Sequence, residues 1–237
     1  MTSEQLLQRL VAIAADRYRS SGRFAYFFAR SKLRGDPVFA SLLASGPIPD
    51  GARILDLGCG QGLLSAWMDA ARRSYEAGEW VDTWPPAPRA RSIRGIDLMP
   101  RDVDRARRAL GTLARIEIGD VREADYGEAD VVTLLDVLHY MDRPDQELVL
   151  RRVRASIGSA GLLLLRVGDA GGGLRFRATR SVDTAVQLIR GYGSKRAYCR
   201  TLPEWFAALT AAGFTTQAIP MSAGTPFANV LFVAAPR

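Results

Sequence analysis

The chain has 237 residues, 48% of them apolar and 24% charged, the balance of an ordinary globular protein with ample material for a two- or three-layer core. No apolar stretch approaches the roughly 18–20 residues needed to span a bilayer, and the amphipathic, acid-containing start "MTSEQLLQRLVAIAADRYRS" is expected to be neither a secretory signal nor an anchor. A formal charge of +7 invites a nucleic-acid reading, but Lys32 and Lys195 are the only lysines and the arginines are scattered without a long run, so charge alone disfavours nucleic acid as partner. Cys59 and Cys199 make neither a disulfide framework nor a metal cluster, so no metal site is expected and a cytoplasmic, cofactor-using protein is the default.

Residues 4–14 place Leu6, Leu7, Leu10, Val11 and Ala14 on one helical face. The aromatic and basic stretch that follows is divided into short helical pieces by Gly22, Gly35 and Pro37, and "GPIPDGA" reads as a linker. Residues 1–48 are therefore expected as an N-terminal helical cap and residues 49–237 as the main domain. From residue 53 strands and helices alternate. "ARILDLG" is a buried-type strand, followed by a helix from about Gln61 to Ser74 with Leu63, Leu64, Trp67 and Ala71 inward. "RSIRGIDL", "ARIEIGD" and "ADVVTLLDVL" supply strands two to four, with a helix from Pro100 to Gly111 between the second and third. Asp142 and Asp145 begin a helix that Gly158 should end, and "GLLLLRVGD" is the fifth strand. After a loop, residues 181–192 look helical, "TLPEWFAALTAAGF" opens with a capping box from Thr201 and Glu204, and "TTQAIPMS" and "NVLFVAAP" close the chain. Strands separated by helices imply an α/β, doubly wound and mostly parallel sheet of seven strands, the last of them antiparallel in an edge hairpin.

The chemistry is carried first by "ILDLGCGQG". A buried strand runs into Gly58, Gly60 and Gly62 and then into a helix, so a ligand can press against main-chain N–H groups at the helix start. The spacing is G-x-G-x-G. Leu63 and Leu64 stand where a dinucleotide fingerprint needs its last glycine, which argues against NAD and FAD. Asp97 ends the second strand, where an acid accepts hydrogen bonds from ribose hydroxyls, and Asp120 ends the third, where a carboxylate can accept from an adenine amino group. Each aspartate alone could be a helix cap or turn residue, but three successive strand ends share one edge.

On these residues the chain resembles the class I S-adenosylmethionine-dependent methyltransferases over roughly residues 50–237. "LDLGCGQG" is similar to their first motif, "GIDLMP" to the ribose-binding acid, "IGDVRE" to the adenine-binding acid, and "ADVVTLLDVLHYM" to the strand and post-strand motif beside the methyl group. The resemblance implies a Rossmann-like fold and S-adenosylmethionine as cofactor, with S-adenosylhomocysteine as its product. It implies that Gly58, Cys59, Gly60 and Gly62 lie against the methionine portion, with Asp56 on its ammonium. Asp97 would hold the ribose, Leu98 and Met99 flank the adenine, Asp120 take its amino group, Val121 its edge, and Asp136 line the same site. One departure is the insertion "SYEAGEWVDTWPPAPRAR" at residues 74–91, which reads as a solvated surface loop.

Methyl transfer from a sulfonium is an in-line displacement, so the protein must align the acceptor and, where needed, remove its proton. His139 in "DVLHYM" is the only histidine and the candidate general base; Tyr140 is a weaker one, and both have the alternative of shaping the pocket. Acceptor choice is expected in the additions. Tyr26, Phe27, His139 and Tyr192 are the candidate substrate residues, with Phe24, Phe28 and Phe39 as possible roof and residues 170–200 as a substrate-cap insertion. The stretch "SKLRGDPVFASLL" with this core is similar to stand-alone bacterial methyltransferases of aryl-polyene and pigment pathways. That implies a small-molecule, phenolic or polyketide-like acceptor. An acidic acyl carrier protein could present it, docked by Arg175, Arg177, Arg180, Lys195, Arg196 and Arg200. An RNA or protein methyltransferase is the first alternative, against which no Asn/Asp-Pro-Pro-aromatic motif follows the fourth strand. A non-catalytic cofactor-binding module is the remoter one.

Overall fold

Buried parallel strands read as continuous apolar runs, and those runs form the sheet. A computed structural model describes residues 1–171, 198–222 and 228–237; the helix expected at 181–192 lies outside them. The strands are β1 (Arg53–Leu57), β2 (Ser92–Asp97), β3 (Arg115–Ile118), β4 (Ala129–Leu135), β5 (Ile157–Gly168), β6 (Phe214–Pro220) and β7 (Asn229–Pro236). They make one seven-stranded sheet in the order β3-β2-β1-β4-β5-β7-β6. β1 pairs in parallel with β2, Ile54 opposite Ile93, and β2 in parallel with β3. β7 is antiparallel to both β5 and β6, as the expected final hairpin requires. No helix among the described residues is long and apolar enough to cross a membrane.

The chain divides into two compact units, residues 1–125 with 129–131, and residues 126–128 with 132–237. In the first, α1 (Ser3–Asp16), a 3₁₀ turn (Arg17–Ser21), α2 (Arg23–Gly35) and α3 (Pro37–Ala44) precede β1, so the N-terminal helices cluster with the glycine loop. α4 (Leu63–Glu76) follows that loop. It begins two residues later than expected, because Gly62 is left-handed and serves as its N-cap. α4 is buried on every side from Leu63 to Ala71, since α1, α2 and α3 pack against it. The Trp67 indole N–H donates to the Phe39 carbonyl at 2.8 Å, and the two rings meet edge to face. Phe39 is thus a core residue rather than part of an acceptor roof. Asp69 of α4 is buried and accepts from Arg17 and Arg72; burial opposes its ionisation, but the two guanidiniums outweigh that and hold it below the usual carboxylate range.

Half of the insertion is exposed, as expected of a surface loop, and the other half packs. Tyr75, Trp80 and Trp84 form an edge-to-face chain with ring centroids 5.8 Å apart at each step. The Trp80 indole N–H donates to the Pro85 carbonyl at 2.9 Å, and Val81 and Ala87 are buried. α5 (Pro100–Leu110) then follows β2.

In the second unit the Asp142 side chain accepts the Asp145 N–H at 3.0 Å and caps α6 (Arg143–Ser156). The helix was expected to run to Gly158 and the strand to start at Gly161. Instead the β-branched Ile157 is already extended and buried as the first residue of β5, leaving no loop between them. α7 (Leu202–Ala211) carries the expected capping box of Thr201 and Glu204.

Candidate active site

The glycine loop lies in the first unit, where β1 meets α4. Gly58, Gly60 and Gly62 have φ of 73°, 54° and 73°, the left-handed region that side chains disfavour. A Cβ on Gly62 would lie 2.5 Å from Leu110 Cδ1, so Leu110 would have to shift in addition to the conformational strain. A Cβ on Gly60 would meet nothing within 4 Å, so this backbone faces open space that a ligand can enter. Gly58 and Cys59 donate to the Ile96 carbonyl at 2.7 and 3.2 Å, which ties the loop to β2.

Asp97, 8% exposed, ends β2. One carboxylate oxygen accepts the Gly60 N–H at 2.7 Å and the other the Met99 N–H at 2.8 Å. Asp56 is also buried, and burial with the negative charges of Asp56 and Asp97 pushes the Cys59 thiol well up. Leu98 is half exposed and Met99 part-buried as the N-cap of α5. Asp120 is turned to Arg122, whose backbone N–H and Nε reach one oxygen at 2.9 and 3.0 Å, and Val121 beside it is buried.

Two residues that the sequence reading passed over support this loop. Tyr18, fully buried on the 3₁₀ turn, donates its hydroxyl to the Gln61 carbonyl at 2.9 Å; burial pushes its phenol far up, so the group stays a donor. Gln61 donates Nε2 to Asp102 at 3.2 Å, while its buried Oε1 meets no donor among the described residues. The only sequence signal for Tyr18 was an aromatic just past an amphipathic helix.

The second unit carries the post-strand turn. Asp136 follows β4 with φ 61°, the only non-glycine residue in the left-handed region among those described, a conformation that costs about 1–2 kcal/mol. Arg166 of β5, 1% exposed, donates Nε to Asp136 at 2.8 Å and pairs with its other oxygen through Nη2. Leu138–Tyr140 then form a 3₁₀ turn that buries His139 and sets its ring 4.0 Å from that of Tyr140, which is 39% exposed. The turn is stapled from behind by buried Gln146, whose Nε2 donates to the carbonyls of Leu138, Met141 and Tyr198 at 3.1, 3.0 and 2.7 Å. Arg200 in turn donates Nε to Gln146 at 2.7 Å and Nη2 to Glu147 at 2.9 Å. Arg200 is therefore a buried staple and not the surface docking residue expected.

Of the acceptor candidates, Tyr26 and exposed Phe27 meet edge to face on α2, with the Arg19 guanidinium over the Tyr26 ring. Tyr192, Arg175, Arg177, Arg180, Lys195 and Arg196 lie outside the described residues.

A family model described as a methyltransferase domain matches residues 29–218. The chain belongs to this methyltransferase family. It is 32% identical over 129 residues to a carboxy-S-adenosyl-L-methionine synthase of Chromohalobacter salexigens, a match covering 52% of the chain and 43% of that protein. It is 30% identical over 120 residues to a ubiquinone biosynthesis O-methyltransferase of Neisseria meningitidis, covering 48% and 42%. The match thus spans less than half the length of each relative. Among solved structures, the magnesium protoporphyrin IX methyltransferase of Synechocystis with bound S-adenosylhomocysteine superposes with a TM-score of 0.59 at 21% identity, over 94% of each chain. The fold of this methyltransferase is the Rossmann-like one of the S-adenosylmethionine-dependent enzymes.

Proposed function

We propose that this methyltransferase transfers a methyl group from S-adenosylmethionine to a hydroxyl of a small aromatic or lipid-like acceptor. The observation that carries the reading is the glycine loop locked to Asp97 by its own backbone, with open space over Gly60. Asp97 on this reading also accepts from ribose hydroxyls, the role a carboxylate at a strand end can fill. On this reading Gly58, Cys59, Gly60 and Gly62 receive the methionine portion and Asp56 its ammonium. Leu98, Met99, Asp120 and Val121 take the adenine, for which Asp120 must exchange its Arg122 contacts. Asp136 contributes its turn rather than a lone charge.

When bound, the cofactor supplies a methyl group on a sulfonium, an electrophile that needs no further activation. The chain's own residues orient the acceptor and manage its proton. His139 takes the proton of the acceptor hydroxyl, with Tyr140 beside it, and Tyr26 and Phe27 on α2 offer the aromatic contact. The name of the Neisseria relative, ubiquinone biosynthesis O-methyltransferase, favours an oxygen acceptor over an amine. An acyl carrier protein as presenter of the acceptor belongs to the same reading but has no support among the described residues.

The test is conversion of labelled S-adenosylmethionine with a panel of catechols and phenols. His139→Ala should lower methyl transfer by about 10²–10⁴-fold while leaving S-adenosylhomocysteine affinity intact. Equal loss of both would assign His139 a structural role.

A further inference from the structure

We propose that Arg166 is a positioning residue for His139, acting through its ion pair with Asp136 to set the post-strand turn. The inference rests on the reading of His139 as the base, but the geometry is independent of it. Arg166 holds Asp136 in three ways: its carbonyl accepts the Asp136 N–H at 3.2 Å, its Nε donates to one carboxylate oxygen at 2.8 Å, and its Nη2 pairs with the other. Three residues later comes His139.

A structural explanation alone does not account for this choice of residues. Glycine or asparagine would enter the left-handed region at lower cost than aspartate. An apolar residue at 166 would suit a strand whose neighbours Leu163, Leu164, Leu165 and Val167 are all buried. Arg166 is 1% and Asp136 27% exposed, and exchanging so largely buried an ion pair for apolar residues is often neutral or stabilising, so the pair is kept for geometry rather than for stability. A bidentate guanidinium fixes the plane of the carboxylate and hence the direction in which the chain leaves β4.

The far end of the same turn is held separately. Gln146 takes the carbonyls of Leu138 and Met141, and Tyr198 donates its N–H to the His139 carbonyl at 2.9 Å. The hexapeptide 136–141 is thus clamped at both ends. The front clamp reaches back into the sheet through Arg166, and the rear clamp into α6 through Gln146. Loss of the front clamp should therefore tilt the turn and move the imbedded imidazole without unravelling it.

His139 is the only histidine, so its imidazole gives a single pair of carbon-bound proton signals that need no acceptor and no turnover to read. In Arg166→Met these signals should move away from their wild-type positions as the ring leaves its place against Tyr140. Arg166→Lys, which keeps the charge, should return them part of the way. Circular dichroism measured alongside shows whether each variant is folded.

Unchanged His139 signals in folded Arg166→Met would overturn the proposal. If that variant does not fold, Asp136→Asn with Arg166→Met removes both charges and keeps a residue that tolerates the left-handed region. Displaced signals in this double variant support the proposal, and wild-type signals in it reject it. Failure of the wild-type protein to bind S-adenosylhomocysteine would count against the proposed function and leave this measurement standing.

Discussion

Two strand ends in this chain each set a carboxylate beside a sharp turn, and they do so by opposite means. After β1 the turn is made by three left-handed glycines, and Asp97 is satisfied by the amides of Gly60 and Met99. After β4 the turn is made by a left-handed aspartate, and its carboxylate is satisfied by the Arg166 side chain. The first arrangement leaves bare backbone for a ligand to lie against. The second commits its charges to each other and leaves the side chains that follow, His139 and Tyr140, as its product. On the proposed reading the first turn binds and the second aims.

Asp97→Ala breaks the first arrangement most severely. It removes the acceptor of two amides and, on the proposed reading, of the ribose, so S-adenosylhomocysteine affinity should fall about 100-fold, ~3 kcal/mol. The His139 signals of the second arrangement should not move, and displacement of both would show that the two turns are not separable. Gly62→Ala comes next. A side chain at φ 73° and 2.5 Å from Leu110 Cδ1 should cost about 1–2 kcal/mol, lowering the thermal midpoint by roughly 3–6 °C with a matching loss of affinity. A midpoint within error of wild type would remove the conformational argument for that glycine.

Tyr18→Phe is milder. It leaves the Gln61 carbonyl without its donor, and should cost about 1 kcal/mol and a few-fold in affinity, readable by calorimetry. Unchanged affinity with a lowered midpoint would make Tyr18 a fold residue and not a support of the loop. The smallest effect belongs to Glu204, which the Thr201 backbone and Arg143 hold at about 2 instead of the ordinary 4.5. Its folded-state value is depressed, so its contribution to α7 is present above about pH 4.5 and lost as pH falls toward 2. Glu204→Gln should therefore lower the midpoint slightly at pH 7 and not at pH 2; an equal change at both would refute the cap's electrostatic part.

Much of this was legible in the sequence because it is local. Capping residues announce helix starts at Asp142 and Thr201, and β7 coincides with the apolar run "NVLFVAAP". The glycine spacing and Asp97 were readable because backbone chemistry allows few residue types there. What was missed depends on partners far apart in sequence. Arg166 sits inside "LLLLRVG", and an arginine is almost never fully buried unless paired, so the signal existed but its partner 30 residues earlier did not stand out. Tyr18 reaches Gln61 across 43 residues, and Arg200 reaches Gln146 across 54. The partial packing of the insertion was hidden because its prolines and glycine look like loop while its two tryptophans pack on each other.

The central claim is that the glycine loop with Asp97 is a site for S-adenosylmethionine. Calorimetric titration of the wild-type chain with S-adenosylhomocysteine, beside an identical titration with NAD, tests it most directly. Saturable binding of one S-adenosylhomocysteine per chain, with no binding of NAD, is the expected result. Saturable NAD binding with none of S-adenosylhomocysteine would contradict it.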